Sequence, residues 1–174
     1  MKEIYTERLH LRYITEADTQ RIFDCWASDP EVSKYVTWNY HENIDQTKGY
    51  VAFILEEYKK ADTYRWGIEL TATGELIGMI DVVGYHNGEP VLGYCSGKAY
   101  WGKGYMTEAL KAVDDALFDD GFDIIRICAV DENIGSNRVI QKAGYIHTAA
   151  VTDHFEQKGK DFTVNWYKLE KAKQ

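Results

Sequence analysis

The segment "YWGKGYMTEAL", Tyr100 to Leu110, gathers residues whose types and spacing suit anion binding. Gly102 and Gly104 flank Lys103, and an apolar 3–4 periodicity begins directly after them. A glycine turn that opens a helix presents backbone N–H groups with no intrahelical partner, at the end where aligned peptide dipoles leave roughly half a positive charge. Glycine also lets the backbone approach a phosphate closely and take positive φ. Lys103 adds a mobile charge, and Thr107 adds a hydroxyl in the first turn. Taken alone, the pattern fits a phosphate cradle and a plain strand-to-helix corner equally well. It fits other nucleotide loops badly. A P-loop needs the lysine after its second glycine and then a serine or threonine, and a dinucleotide turn needs a third glycine where Thr107 stands.

Other polar residues stand in contexts that can do chemistry. "VDENIGSNRVIQKAGY" places Asn133 and Ser136 at the head of a helix and Arg138 and Lys142 along it. Asp81 interrupts the apolar strand "LIGMIDVVGY", where an acid is either exposed at an edge or turned into a cleft. Glu69, in "RWGIEL", falls on the solvent side of an alternating strand. Trp38 and Tyr40, in the non-periodic "YVTWNYHEN", are aromatics in a loop, placed to line a mouth or to cap a core. Cys25, Cys95 and Cys128 sit singly in apolar patterns, and the five histidines lack ligand spacing, so neither a disulfide framework nor a metal site is expected.

The elements that must position these groups alternate in type. "RLHLRYI" reads as a half-buried strand, and Thr15, with Asp18 three residues on, caps a helix that Pro30 closes. A second helix runs through "IDQTKGYVAFILEEYKK". "TYRWGIEL", "LIGMIDVVGY" and "VLGYCS", separated by short turns, form an antiparallel meander. A helix follows the glycine turn, with Met106, Ala109, Leu110, Val113, Ala116 and Leu117 on its apolar side and Gly121 at its end. "DIIRICAVDEN" is apolar enough for a central strand, "SNRVIQKAGY" is a short helix stopped by Gly144, and the tail forms a hairpin around Gly159. The order is β-α-α-β-β-β-α-β-α-β-β, one α+β (mixed α/β) domain over residues 1–174.

Two of these stretches together, "LGYCSGKAYWGKGYMTEAL" and "VDENIGSNRVIQKAGY", resemble the GNAT superfamily of acetyl-coenzyme A-dependent N-acetyltransferases. The likeness is closest to its RimJ/RimL-type branch, the ribosomal-protein N-terminal acetyltransferases, and extends weakly from "TERLHLRYITEAD" over nearly the whole chain. It implies a central, mostly antiparallel twisted sheet of about seven strands, splayed between the fourth and fifth, with about four flanking helices. It also implies that the pyrophosphate of coenzyme A rests on the turn, which by position is Trp101, Gly102, Lys103, Gly104, Tyr105, Met106 and Thr107. Pantetheine runs along the splayed strand, with backbone contacts at Tyr94, Cys95 and Ser96. Asn133 meets a pantetheine amide, Ser136 lies near the thioester sulfur, and Arg138 and Lys142 approach the phosphates. Ala99 departs from the arginine or glutamine usual at its place, which removes a side-chain role there but leaves the backbone cradle.

The implied reaction is direct attack of a primary amine on the thioester. A protein α-amino group, with pKa about 8, is roughly one-tenth neutral near pH 7, so an N-terminal acceptor needs no strong base. Ser136 is the candidate donor to the leaving sulfur and the candidate N-cap of its helix, two roles that can coexist; Asp81 is the candidate base; and a free N–H around Cys95 is the candidate oxyanion donor. Polyamine or aminoglycoside acetylation and a non-catalytic coenzyme A sensor are the alternatives. A net charge of −8 speaks against nucleic acid and suits cationic acceptors. With no apolar run for a membrane span and no signal-peptide core, a cytoplasmic monomer or homodimer is expected.

Overall fold

The structure, a computed structural model, describes residues 1–172. It is organised by one eight-stranded sheet in the order β1-β2-β3-β4-β5-β6-β8-β7. The strands are β1 (Ile4–Tyr5), β2 (Leu9–Arg12), β3 (Arg65–Leu70), β4 (Leu76–His86), β5 (Glu89–Ser96), β6 (Ile124–Val130), β7 (Ile146–Phe155) and β8 (Lys160–Glu170). Every neighbouring pair is antiparallel except β5 and β6, which run parallel. The five α-helices are α1 (Thr19–Ile22), α2 (Pro30–Ser33), α3 (Ile44–Glu57), α4 (Tyr105–Asp119) and α5 (Ile134–Ala143). The mixed α+β fold expected from the sequence is therefore present, with a strand and a helix beyond the expected number.

Both additions have local causes. β1 is two residues long, too short to show a period of two, and pairs Ile4 with Leu11 and Tyr5 with His10. The first expected helix is broken into pieces. Thr15 heads a 3₁₀ turn whose Asp18 carboxylate accepts the Thr15 amide at 2.7 Å, α1 follows, and a π-helical turn spans Phe23–Ala27. Pro30 does not close this segment but opens α2, where its missing N–H costs nothing and Asp29 caps the Glu31 amide at 2.8 Å.

The two faces of the sheet carry separate cores. On one face α4 and α5 cover Leu9, Ile68, Ile80, Leu92, Ile125 and Ile127, with Leu110, Val113 and Leu117 of α4 fully buried against them. Each such side chain contributes about 1.5–3 kcal/mol through burial. The opposite face holds two smaller clusters, one under α1 and α3 around Trp26, Ile54 and Met79, the other around Phe155, Phe162 and Val164 at the β8 side.

Between β5 and β6 the sheet opens. Their only register pairs are Val91 with Arg126 and Leu92 with Ile127. Beyond Leu92, β5 stays on β4 as far as Ser96 opposite Gly78, while β6 stays on β8 as far as Val130 opposite Val164. Gly78 helps to hold β5 aside: a Cβ there would fall 2.4 Å from the Cys95 carbonyl oxygen, so β4 and β5 approach more closely than any other residue permits. The splay expected between the fourth and fifth strands of the sequence reading thus lies between β5 and β6.

Candidate functional site

The gap leaves backbone groups of β5 without strand partners. The Gly97 amide donates to the Ile77 carbonyl at 2.9 Å, and by alternation the Cys95 and Gly93 amides also face β4. Tyr94 and Ser96 therefore present their backbone groups to the gap; the Ser96 carbonyl, turned away from β4, accepts the Trp101 indole N–H at 2.9 Å. The free N–H expected around Cys95 therefore belongs to one of its two neighbours, Tyr94 or Ser96. The Cys95 thiol is pushed up by burial and packs on the α3 side of the sheet.

At one end of the gap stands the glycine turn. Gly102 has φ +73° and Gly104 φ +82°, and Gly104 is the N-cap of α4. Because glycine carries no side chain, no cap hydrogen bond forms, and the amides of the first turn, including Tyr105, Met106 and Thr107, have no partner among the described residues. A depression of about 440 Å³ lies against this turn, lined by Gly104, Thr107, Lys111 and Lys142 among others. Lys142 lies at this depression, and Arg138 stands one helical turn away on α5; both are exposed. Lys103 lies over the Tyr100 ring, 5.6 Å from its centroid.

At the other end, α5 brings Asn133 and Ser136 to the gap. Asn133, not Ser136, is the N-cap: its side-chain oxygen accepts the Ser136 amide at 3.1 Å. That cap occupies one end of the Asn133 amide and leaves its NH₂ for a ligand carbonyl. Ser136, relieved of capping, meets Tyr94 from across the gap, with Oη to Oγ 2.9 Å and Oη to the Ser136 carbonyl 3.2 Å. Burial pushes the Tyr94 phenol up, so it stays protonated and able to donate. Sequence reasoning missed Asn137, which fastens this corner. Its side chain donates to the Val130 and Asn133 carbonyls at 2.9 and 2.8 Å and accepts the Tyr167 hydroxyl at 2.6 Å.

Asp81 lies on the opposite face of β4. It is opposite Gly93, in phase with Met79 and Cys95, whereas Tyr94 is opposite Ile80 on the α4–α5 face. Its carboxylate accepts two donors from Arg65, each at 2.8 Å; burial raises its proton affinity and Arg65 opposes that. The structure therefore does not join Asp81 to Ser136 by any hydrogen bond. Glu69 is also engaged, paired with Arg12 at 2.6 Å, and is far from the free acid that alternation predicts. Trp38 packs partly buried and Tyr40 is exposed, in a loop tied to the β7–β8 turn. Lys158 donates to the Trp38 carbonyl and to Asn39, each at 2.8 Å, and Asn39 donates to Gln157.

The chain belongs to the acetyltransferase (GNAT) domain family, whose model matches residues 8–146 and so takes in the opening between β5 and β6, the glycine turn and α5. It is an acetyl-transferring enzyme. Among individual proteins it is similar to the uncharacterized N-acetyltransferase YoaA of Bacillus subtilis, 31% identical over 97% of each chain. Its fold is shared with a Vibrio cholerae protein described as a putative ribosomal-protein-serine acetyltransferase, at 22% identity and TM-score 0.84 over 98% of each chain. RimL, a ribosomal L7/L12 α-N-protein acetyltransferase solved with coenzyme A, aligns at 17% identity and TM-score 0.81, covering 97% of this chain and 98% of its own.

Proposed function

We propose that residues 1–174 act as one unit that acetylates a primary amine with acetyl-coenzyme A, and that the acceptor is the α-amino group of a protein or peptide. The observation that carries the reading is the gap itself: unpartnered helix amides at its mouth, unpartnered strand groups of Tyr94 and Ser96 along it, and the Ser136 hydroxyl at its inner side. These residues fit the donor. Its pyrophosphate matches the amides of Gly104 to Thr107, with Lys103 and Lys142 nearby; its amide-bearing arm matches the groups of β5 and the Asn133 NH₂. When bound, acetyl-coenzyme A supplies a thioester whose thiol, with pKa near the cysteine value of about 8.5, leaves readily.

The chain's own groups then have distinct tasks. A strand amide of Tyr94 or Ser96 donates where negative charge develops on the thioester oxygen. Ser136 donates toward the departing sulfur, and the Tyr94 hydroxyl fixes the Ser136 rotamer or relays the proton. Asp81 lies opposite Gly93 of β5 on the face under α3, where its Arg65 partner holds it in place. An α-amino acceptor, partly neutral at pH 7, asks little of such a base. The ribosomal-protein acetyltransferases among the structural neighbours support the N-terminal acceptor. Among the described residues no helix is long and apolar enough to cross a membrane, and the three cysteines are unbridged, which accords with the cytoplasm as the proposed compartment.

The test is release of free thiol from acetyl-coenzyme A with a panel of peptides bearing free or blocked N-termini, polyamines and aminoglycosides. Turnover is expected with free N-terminal peptides and absent when the α-amine is blocked, even with lysines present. Turnover confined to polyamines or aminoglycosides would overturn the acceptor, and binding of coenzyme A without turnover across the panel would overturn the enzyme reading.

A further inference from the structure

The glycine turn lacks a side chain to orient it: Ala99 stands where the resembling sequences carry arginine or glutamine, and Gly104 offers no cap. A guanidinium nevertheless reaches the turn, from far away in sequence. Arg8, just ahead of β2, donates from Nη1 to the Lys103 carbonyl at 3.1 Å, and its guanidinium lies 4.6 Å from the centroid of the Tyr105 ring. Its Nη2 sits 3.4 Å from where a Cβ on Gly104 would lie. Glu108, in the first turn of α4, holds Arg8 from below. One carboxylate oxygen accepts Nε and Nη2, each at 2.6 Å, while the other accepts the Arg8 backbone N–H at 3.0 Å and the Thr6 hydroxyl at 2.6 Å.

The consequence follows from the planarity of the peptide bond. In a trans peptide the C=O and N–H point in opposite directions, so fixing the Lys103 carbonyl on Arg8 aims the Gly104 N–H the other way. Without that contact the Lys103–Gly104 peptide is less restricted than most, because the residue on its C-terminal side is a glycine at φ +82° with no side chain to limit it. We propose that Arg8 is a positioning residue for the donor's pyrophosphate: held by Glu108, it orients the Lys103–Gly104 peptide so that the Gly104 amide joins those of the α4 first turn as one anion seat. Glu108 offsets the charge that Arg8 brings to a helix N-terminus, and its own proton affinity, raised by burial, is lowered overall by Thr6 and Arg8. Arg8 thus restores, from the N-terminal segment, the fixed guanidinium absent at position 99. This rests on the proposed use of acetyl-coenzyme A.

The experiment compares two donors in one assay, acetyl-coenzyme A and S-acetyl-pantetheine, which keeps the thioester and the arm but has no pyrophosphate. With Arg8→Ala, kcat/KM for acetyl-coenzyme A is expected to fall about tenfold, chiefly through KM, while that for S-acetyl-pantetheine stays within about twofold. Arg8→Lys, which keeps the charge but cannot span Lys103 and Glu108 together, is expected to recover part of the loss, and it carries the comparison if Arg8→Ala does not fold. Equal losses with both donors, or none with either, would overturn the positioning role. Calorimetric titration of the wild type with coenzyme A separates this from the parent reading: no binding overturns the proposed function, whereas equal binding by wild type and Arg8→Ala overturns only the role of Arg8.

Discussion

At the scale of single residues the site turns on Ser136, because the structure frees it from the capping duty that its place at "SNRVIQKAG" suggests. With Asn133 as the cap, the Ser136 hydroxyl has Tyr94 as its partner and no helix to hold together. Ser136→Ala is therefore expected to lower kcat by about ten- to a hundredfold, with KM for acetyl-coenzyme A and the unfolding midpoint nearly unchanged. A fall in thermal stability at constant kcat would instead make the hydroxyl part of the scaffold. Asn133 and Ser136 were singled out in the sequence because "VDENIGSNRVIQKAGY" resembles a family motif, and they stand three positions apart at the head of α5. The Tyr94 contact was not, since it joins residues on different elements across the gap, and no local pattern encodes such a pairing. Asp81 shows the converse: its strangeness within an apolar strand was legible, but not that Arg65, sixteen positions earlier, neutralises it across β3 and β4.

At the scale of elements, α4 has two jobs that pull on different parts of its sequence. Its first turn must stay uncapped to receive an anion, and its middle must seal the core. Gly104→Val puts a β-branched residue at φ +82° and a Cβ against Arg8; coenzyme A affinity, read by calorimetry, is expected to drop by about a hundredfold. In the sealing half, Asp114 is 2% exposed and accepts the Tyr145 hydroxyl at 2.5 Å, while its Oδ2 has no partner among the described residues. Burial pushes this carboxyl up to about 7, partly opposed by the Tyr145 hydrogen bond. Its folded pKa thus exceeds the unfolded value of about 3.9, so the folded state binds the extra proton. The associated stability is complete below about pH 4 and is lost as pH rises toward 7. Asp114→Asn, which keeps an acceptor for Tyr145, is expected to flatten that decline and to be more stable than the wild type at pH 8 by on the order of 2 kcal/mol, measured by urea unfolding across pH. The apolar stripe of α4 was plain from its 3–4 spacing. Asp114 sits inside that stripe's flank, where charge alone reads as solvent-facing.

At the scale of the whole molecule, the sheet behaves as two half-sheets, β1 to β5 and β6 to β8, sharing two register pairs. The β3–β4–β5 meander and the β7–β8 hairpin were legible from their short, glycine-marked turns, but the pairing of β2 with β3 and of β6 with β8 rather than β7 joins segments distant in sequence and was not. The eighth strand and the broken first helix were hidden, one by its length and the other by a π-helical turn that keeps an almost helical apolar rhythm. Across the divide, one face is bridged by Tyr94 with Ser136 and the other by the tie from Trp38 and Asn39 to Lys158. The opening also has a clock-like consequence. In the free protein the amide protons of Tyr94 and Ser96, facing the gap, should exchange with solvent deuterium much faster than those of Gly93, Cys95 and Gly97, which are locked on β4, so a single strand carries alternating fast and slow sites. Saturating coenzyme A is expected to slow the fast pair toward the rate of its neighbours while leaving the slow set unchanged. If the two sets exchange alike in the free protein, or if ligand slows both equally, the gap is not where the arm lies.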